Sequence, residues 1–381
     1  MLALRLGRGA HPLVLLRRLL VAAASAGVGF LLLCTLGWAM GHPAGSWPRL
    51  LWCLIPLAAT VQFAVAVART DGSTRPRTGL SAIGLGPARL TALAAASTAV
   101  TCALGSAMAL LLFLHLRGDL NGKPFKGEAA ALLAAGRPLP LGAALTLLSL
   151  APFLAALATA IALRPRPGTS PAEADSSATP VPAPAPAGLP WGVALTAAGL
   201  AIETYATSRR GNKTGLLDGS LAGVLAGWSL TAVGLALAGP GITYLCGRLL
   251  QMMRPGAIRL LAGRALMDEA RRIGRPLGVL CAVVSGAFAA ASLYGPGDER
   301  PFGPLTDLGA GLIVGCAAAT LLNAALEARQ VRALTTVSLQ HSGAAPALLR
   351  TAAAVRAAAL LAAFAPLTWA VSALAAIPLA T

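Results

Sequence analysis

Few residues in this chain are equipped to do chemistry, and where they fall restricts what that chemistry is. Glu203, in "AIETYATSRR", is the one acid inside an apolar stretch. An intramembrane acid is by default a candidate for an ion or substrate pathway. Glu203 sits near the outer end of its stretch, where water or Arg209 and Arg210 are expected within reach. Gln62 and Asn323 are amides inside other apolar stretches, of the kind that hydrogen-bond between membrane helices. The four His, at 11, 42, 115 and 341, do not form a metal-ligand spacing. "RRGNKTG" (Arg209 to Gly215) carries the Lys-Thr of a phosphate loop but lacks the spaced first Gly and a preceding strand. The chain therefore supplies no ATPase of its own. All six Cys (34, 53, 102, 246, 281 and 316) lie inside apolar stretches. They read as small buried hydrophobes and not as a disulfide framework.

The elements that must position these residues are membrane helices. The 381 residues are 56% hydrophobic and 11% charged, against about 25% charge in soluble domains. The class is an all-α polytopic membrane protein. A spanning helix needs about 20 apolar residues. Candidates run over 15–38, 50–68, 88–116, 139–163, 190–207, 219–247, 277–294, 305–326 and 351–379. That is about nine spans, or ten if the last divides at Pro366. The first run is too long for the roughly 7–15 residues of a signal-peptide core, so it reads as a retained span. The net charge of +17 does not imply a nucleic-acid partner, because Arg and Lys fall in short loops, where they set topology. With the N-terminus in the cytoplasm, 21 of the 30 Lys and Arg lie inside. A Pro-rich stretch, "PRPGTSPAEADSSATPVPAPAPAGLP", reads as a semi-rigid cytoplasmic spacer. It gives four segments: a first four-helix unit (1–164), the linker (165–189), a central two-helix hairpin (190–250) and a shortened second unit (251–381).

The two outer units share a pattern. "LSAIGL" (Leu80 to Leu85) and "LTTVSL" (Leu334 to Leu339) match in type at all six positions, 254 residues apart. Each follows a span ending in Ala-Arg, and each precedes a turn signal and another span. The same offset carries Arg17-Arg18 onto Arg271-Arg272. An even number of spans separates the copies, so this is a parallel internal duplication. Leu80 with Ile83, and Leu334 with Val337, are spaced to share one helical face. The flanking Arg residues and turn breakers predict a short interfacial helix in each copy. Pro87 suits the first position of the helix that follows. Such a helix either seats the next span at the headgroup layer or fits a groove on a soluble partner. Further on, Arg264, Asp268 and Arg272 stand at i, i+4 spacing, a charge ladder on an amphipathic helix lying on the inner leaflet.

At these positions the chain resembles an FtsX-like (MacB-type) ABC transporter permease of the actinobacterial type. The resemblance rests on "GLSAIGLGPARL", "RALTTVSLQHSGAAPALL" and the stretch from Gly239 to Leu277. It implies that Leu80, Ile83, Leu85, Arg89, Leu334, Val337 and Leu339 couple to an ATPase, with His341 at that interface. It also implies a separate ABC ATP-binding subunit that carries ATP and Mg, no cofactor on this chain, and a homodimer or a heterodimer with a second permease. The expected location is the bacterial cytoplasmic membrane, multi-pass, with the N-terminus inside. The acidic-basic pair that opens the family's coupling segment is missing in both copies. The loops near Gly41–Arg49 and Gly295–Pro304 leave no room for large outer domains. An ion-coupled secondary transporter, or a non-transporting scaffold or sensor subunit, are the alternative readings.

Overall fold

The computed structural model describes residues 12–41, 46–70, 87–118, 139–164, 186–208, 221–252, 256–293, 304–341, 343 and 345–380. These form nine helices and no strand: α1 Pro12–Gly41, α2 Ser46–Thr70, α3 Pro87–Arg117, α4 Leu141–Ala162, α5 Gly188–Ser208, α6 Leu221–Met252, α7 Ala257–Leu293, α8 Pro304–His341 and α9 Pro346–Ala380. Among the described residues, eight helices are long and apolar enough to cross a membrane; α5, of 21 residues, is the other one. The chain is an all-α polytopic membrane protein. α3 and α9 open on Pro87 and Pro346, where the ring's fixed φ suits the first turn and no amide hydrogen is missed. Residues 346–380 form one helix, not divided at Pro366.

The helices group into two compact units. The first holds α1 to α4 and the start of α8, up to Cys316. Its centre is α1, whose Val28 and Leu33 are fully buried. One face of α1 packs Leu33 and Cys34 on Ala109 and Phe113 of α3 and on Ala144 and Leu148 of α4. Another packs Val28 and Leu32 on Cys53 and Leu57 of α2. Phe30 meets Phe113 edge to face, with centroids 6.2 Å apart. Small residues let α1 and α3 approach: a methyl on Gly105 would run into the Ala22 carbonyl. The two helices are parallel, and Ser25 Oγ donates to the Cys102 carbonyl at 2.9 Å.

The second unit holds α5, α6, α7, α9 and α8 from Ala317 onward. Here contact is backbone on backbone. Gly192 and Gly199 of α5 face Gly234 and Gly227 of α6, where a methyl at Gly199 would lie 2.6 Å from the Thr231 nitrogen. The other side of α6 offers Gly239 and Gly247 to Gly274 and Gly263 of α7. Stripes of small residues at i, i+4 spacing bring membrane helices this close. α9 runs parallel to α7: Ser285 Oγ donates to the Thr368 carbonyl at 3.0 Å, and Cys281 Sγ lies 3.1 Å from Thr368 Oγ1. The hairpin α5–α6 thus shares a unit with α7 and α9, while the beginning of α8 belongs with α1 to α4.

Candidate functional site

The second expected coupling segment, Leu334 to Leu339, is not a separate short helix. It forms the last turns of α8, which runs unbroken for 38 residues. At 1.5 Å per residue such a helix is about 57 Å long, whereas hydrocarbon and headgroups together measure about 40–45 Å. The apolar part is Leu305–Ala333, so the segment begins where the membrane-compatible part stops. The reason for continuity lies in the sequence: nothing between Ala333 and Gln340 breaks a helix, and both turn signals come after it. α8 ends at His341, and Gly343 takes a left-handed φ of +88° with its N–H on the Gln340 carbonyl, a conformation that suits glycine.

Val337 is half exposed at 50%, and His341 is exposed too. Leu334 and Leu339 lie in the same helical turns. In the first unit Arg89 is exposed in the first turn of α3, whereas Leu80, Ile83 and Leu85 lie outside the described residues.

The structure adds a residue that the spacing argument passed over. Glu269 of α7 is buried, and Arg332 of α8 reaches its Oε1 through Nε at 2.6 Å. Arg356 of α9 lies 3.9 Å from Oε2. Arg332 Nε also donates to the Ala328 carbonyl at 3.1 Å. One carboxylate thus draws together three helices two residues before Leu334. The charge ladder of Arg264, Asp268 and Arg272 is real but lies on the exposed face of α7. Glu269 is one position further on, about 100° round the helix, in the buried row with Ala262 and Leu266. An acid in register with small apolar residues was the available signal. α7 itself is no separate surface helix: it runs from Ala257 through Pro276 to Leu293, because its small-residue face packs along α6.

The intramembrane polar residues part company. Glu203 is fully buried on α5, and Arg209 and Arg210 lie outside the described residues. Gly227 of α6 packs on it, and a methyl there would lie 3.1 Å from Glu203 Cβ. Trp228 is beside its carboxyl and braces Gly286 of α7. The lack of a side chain at Gly227 lets α6 pack directly against this acid. Asn323 is buried on α8, but Gln62 is exposed on α2. Five of the Cys are buried and Cys246 is partly so; none forms a disulfide. Among the described residues no group of three His, Cys, Asp or Glu is placed to hold a metal ion. No protein-family model, no curated protein and no solved structure matches the chain.

Proposed function

We propose that this chain is the membrane-spanning permease subunit of an ABC transporter of the FtsX-like kind. One observation carries the reading: α8 extends past its apolar part into a partly exposed end, and Glu269 ties that end to α7 and α9 through Arg332 and Arg356. A push on Val337 from a soluble partner moves a rigid helix, and the ion cluster passes the movement to two neighbours. The partner is an ATP-binding cassette ATPase holding ATP and Mg; this chain supplies the coupling helix and binds neither. The cargo class is a lipid, peptide or drug-like molecule, exported or mechanically released. The complex contains two permease chains, identical or paired with a second permease, in a bacterial cytoplasmic membrane with the N-terminus inside. Affinity purification of the full chain from native membranes in mild detergent is expected to recover a stoichiometric ATPase. Val337→Asp, at an exposed position, is expected to lose the ATPase while the chain still inserts. Recovery of the chain alone, under conditions that preserve a known ABC complex, overturns the proposal.

Glu203 favours a second reading, an ion-coupled secondary transporter. A fully buried acid inside a helical pair is a natural proton carrier. In that reading Glu203→Gln abolishes proton-coupled flux in proteoliposomes; unchanged flux removes its main support.

A further inference from the structure

We propose that the first unit carries a site for an anionic phospholipid in the groove between α1, α2 and α3. The groove, of about 120 Å³, is lined by Arg18, Val67, Leu90, Leu93, Ser97 and Thr101, among others, none of them acidic. It exists because α2 and α3 each pack on α1 but touch one another only slightly.

Three features select the occupant. The first is shape: from Leu90 to Thr101 the groove follows α3 for about 16 Å, a length suited to an acyl chain. Leu93, at its edge, is 59% exposed, so the groove opens sideways, where lipid tails are the neighbours.

The second is the chemistry of the floor. Two of its three hydroxyls donate to their own helix, Thr98 to the Ala94 carbonyl and Thr101 to the Ser97 carbonyl, both at 2.9 Å. A polar solute finds little there to satisfy it, whereas a hydrocarbon chain loses nothing.

The third is charge, concentrated at one end. Arg18 lines the groove. Arg17, next to it in the chain though not itself a lining residue, donates through Nη1 to Thr70 Oγ1 at 3.4 Å, while its Nη2 is buried with no hydrogen-bond partner among the described residues. A buried cationic donor without an acceptor is costly, and a phosphate oxygen would satisfy it. Arg69 and Arg89 are exposed, each adjacent in sequence to a lining residue, Ala68 and Leu90. Basic pockets between membrane helices bind anionic headgroups. The lipid's tail lies along α3 and its phosphate meets Arg17 and Arg18. This site does not depend on an ATPase partner.

The test is native mass spectrometry of the full chain in detergent, loaded with equimolar phosphatidylglycerol and phosphatidylcholine. Phosphatidylglycerol is expected to be retained over phosphatidylcholine by about tenfold, a ratio read on the unmodified chain. Arg17→Gln with Arg18→Gln should abolish the preference, Arg18→Lys should keep most of it, and Ser97→Phe, which fills the groove, should lose both lipids. Equal retention of the two lipids overturns the proposal, as does a preference that survives the double Arg variant. Inorganic phosphate that displaces phosphatidylglycerol as well as added phosphatidylglycerol does marks a headgroup-only site and overturns the acyl-chain assignment.

Discussion

The two units solve the same packing problem with different materials. In the first, α1 is surrounded by bulky side chains, with Leu33 and Phe113 at no exposure and hydroxyls supplying the polar links. In the second, α5, α6 and α7 lie backbone to backbone along facing glycines, and the two acids buried among the described residues, Glu203 and Glu269, are found there. Side-chain packing leaves room between helices that share a partner but barely touch each other, and the groove between α2 and α3 is that room. Glycine packing leaves none: Glu269 meets its counter-charges inside that unit, whereas Glu203 is enclosed beside Trp228. Each unit nevertheless has one parallel pair, α1 with α3 and α7 with α9, joined by a Ser hydroxyl on a backbone carbonyl. The joining residues, Ser25 with Cys102 and Ser285 with Thr368, stand 260 and 266 residues apart rather than at the 254 of the sequence repeat. The likeness is one of arrangement rather than of residue register.

The contrast can be broken from either side. Phe113→Ala removes a fully buried ring that packs on Leu33, Cys34 and Leu148, and is expected to destabilise the first unit by about 3–5 kcal/mol. The measurement is unfolding in mixed micelles, with cysteine accessibility at Cys34 and Cys281 reporting each unit; exposure of Cys281 before Cys34 would contradict the division. Gly278→Leu does the reverse in the second unit. Its new side chain meets the Leu235 carbonyl, backbone that cannot turn aside, and overpacking of this kind costs about 1–3 kcal/mol. Cys281 should become reactive first, and an unchanged midpoint would show that the glycine contacts carry little. Glu269→Ala should cost about 1–2 kcal/mol, the charged hydrogen bond discounted for the partial exposure of its partners. Its sharper readout is trypsin cleavage after Arg332, which should accelerate as the end of α8 loosens; an unchanged rate would deny the cluster its role as a tie.

Much of the fold was legible because membrane helices announce themselves through long apolar runs. The helix start at Pro87 was equally plain, being fixed by local geometry, whereas the last helix begins at Pro346, five residues before the apolar run that marked it. The continuous α7 and α8 were harder to read, since Arg-rich turns resemble surface helices unless one face is known to be covered. Gln62 and Asn323 looked alike in sequence, two amides in apolar runs, and only packing separated the exposed one from the buried one. Glu203 was visible as an acid, but its burial depends on the packing of Gly227 from another helix. Glu269 was hidden by its neighbour Asp268, which satisfied the helical spacing on the exposed face.

Composition and apolar periodicity by themselves determined that this is a helical membrane protein, and where most of its apolar helices run. Both are local properties, fixed by the cost of placing polar backbone and charge in hydrocarbon. Tertiary structure alone decided which acid is buried with its counter-charges, which helices touch through glycine, and where a groove remains. Those outcomes depend on residues such as Glu269, Arg332 and Arg356 meeting from three helices, a coincidence in space that no single stretch of chain encodes.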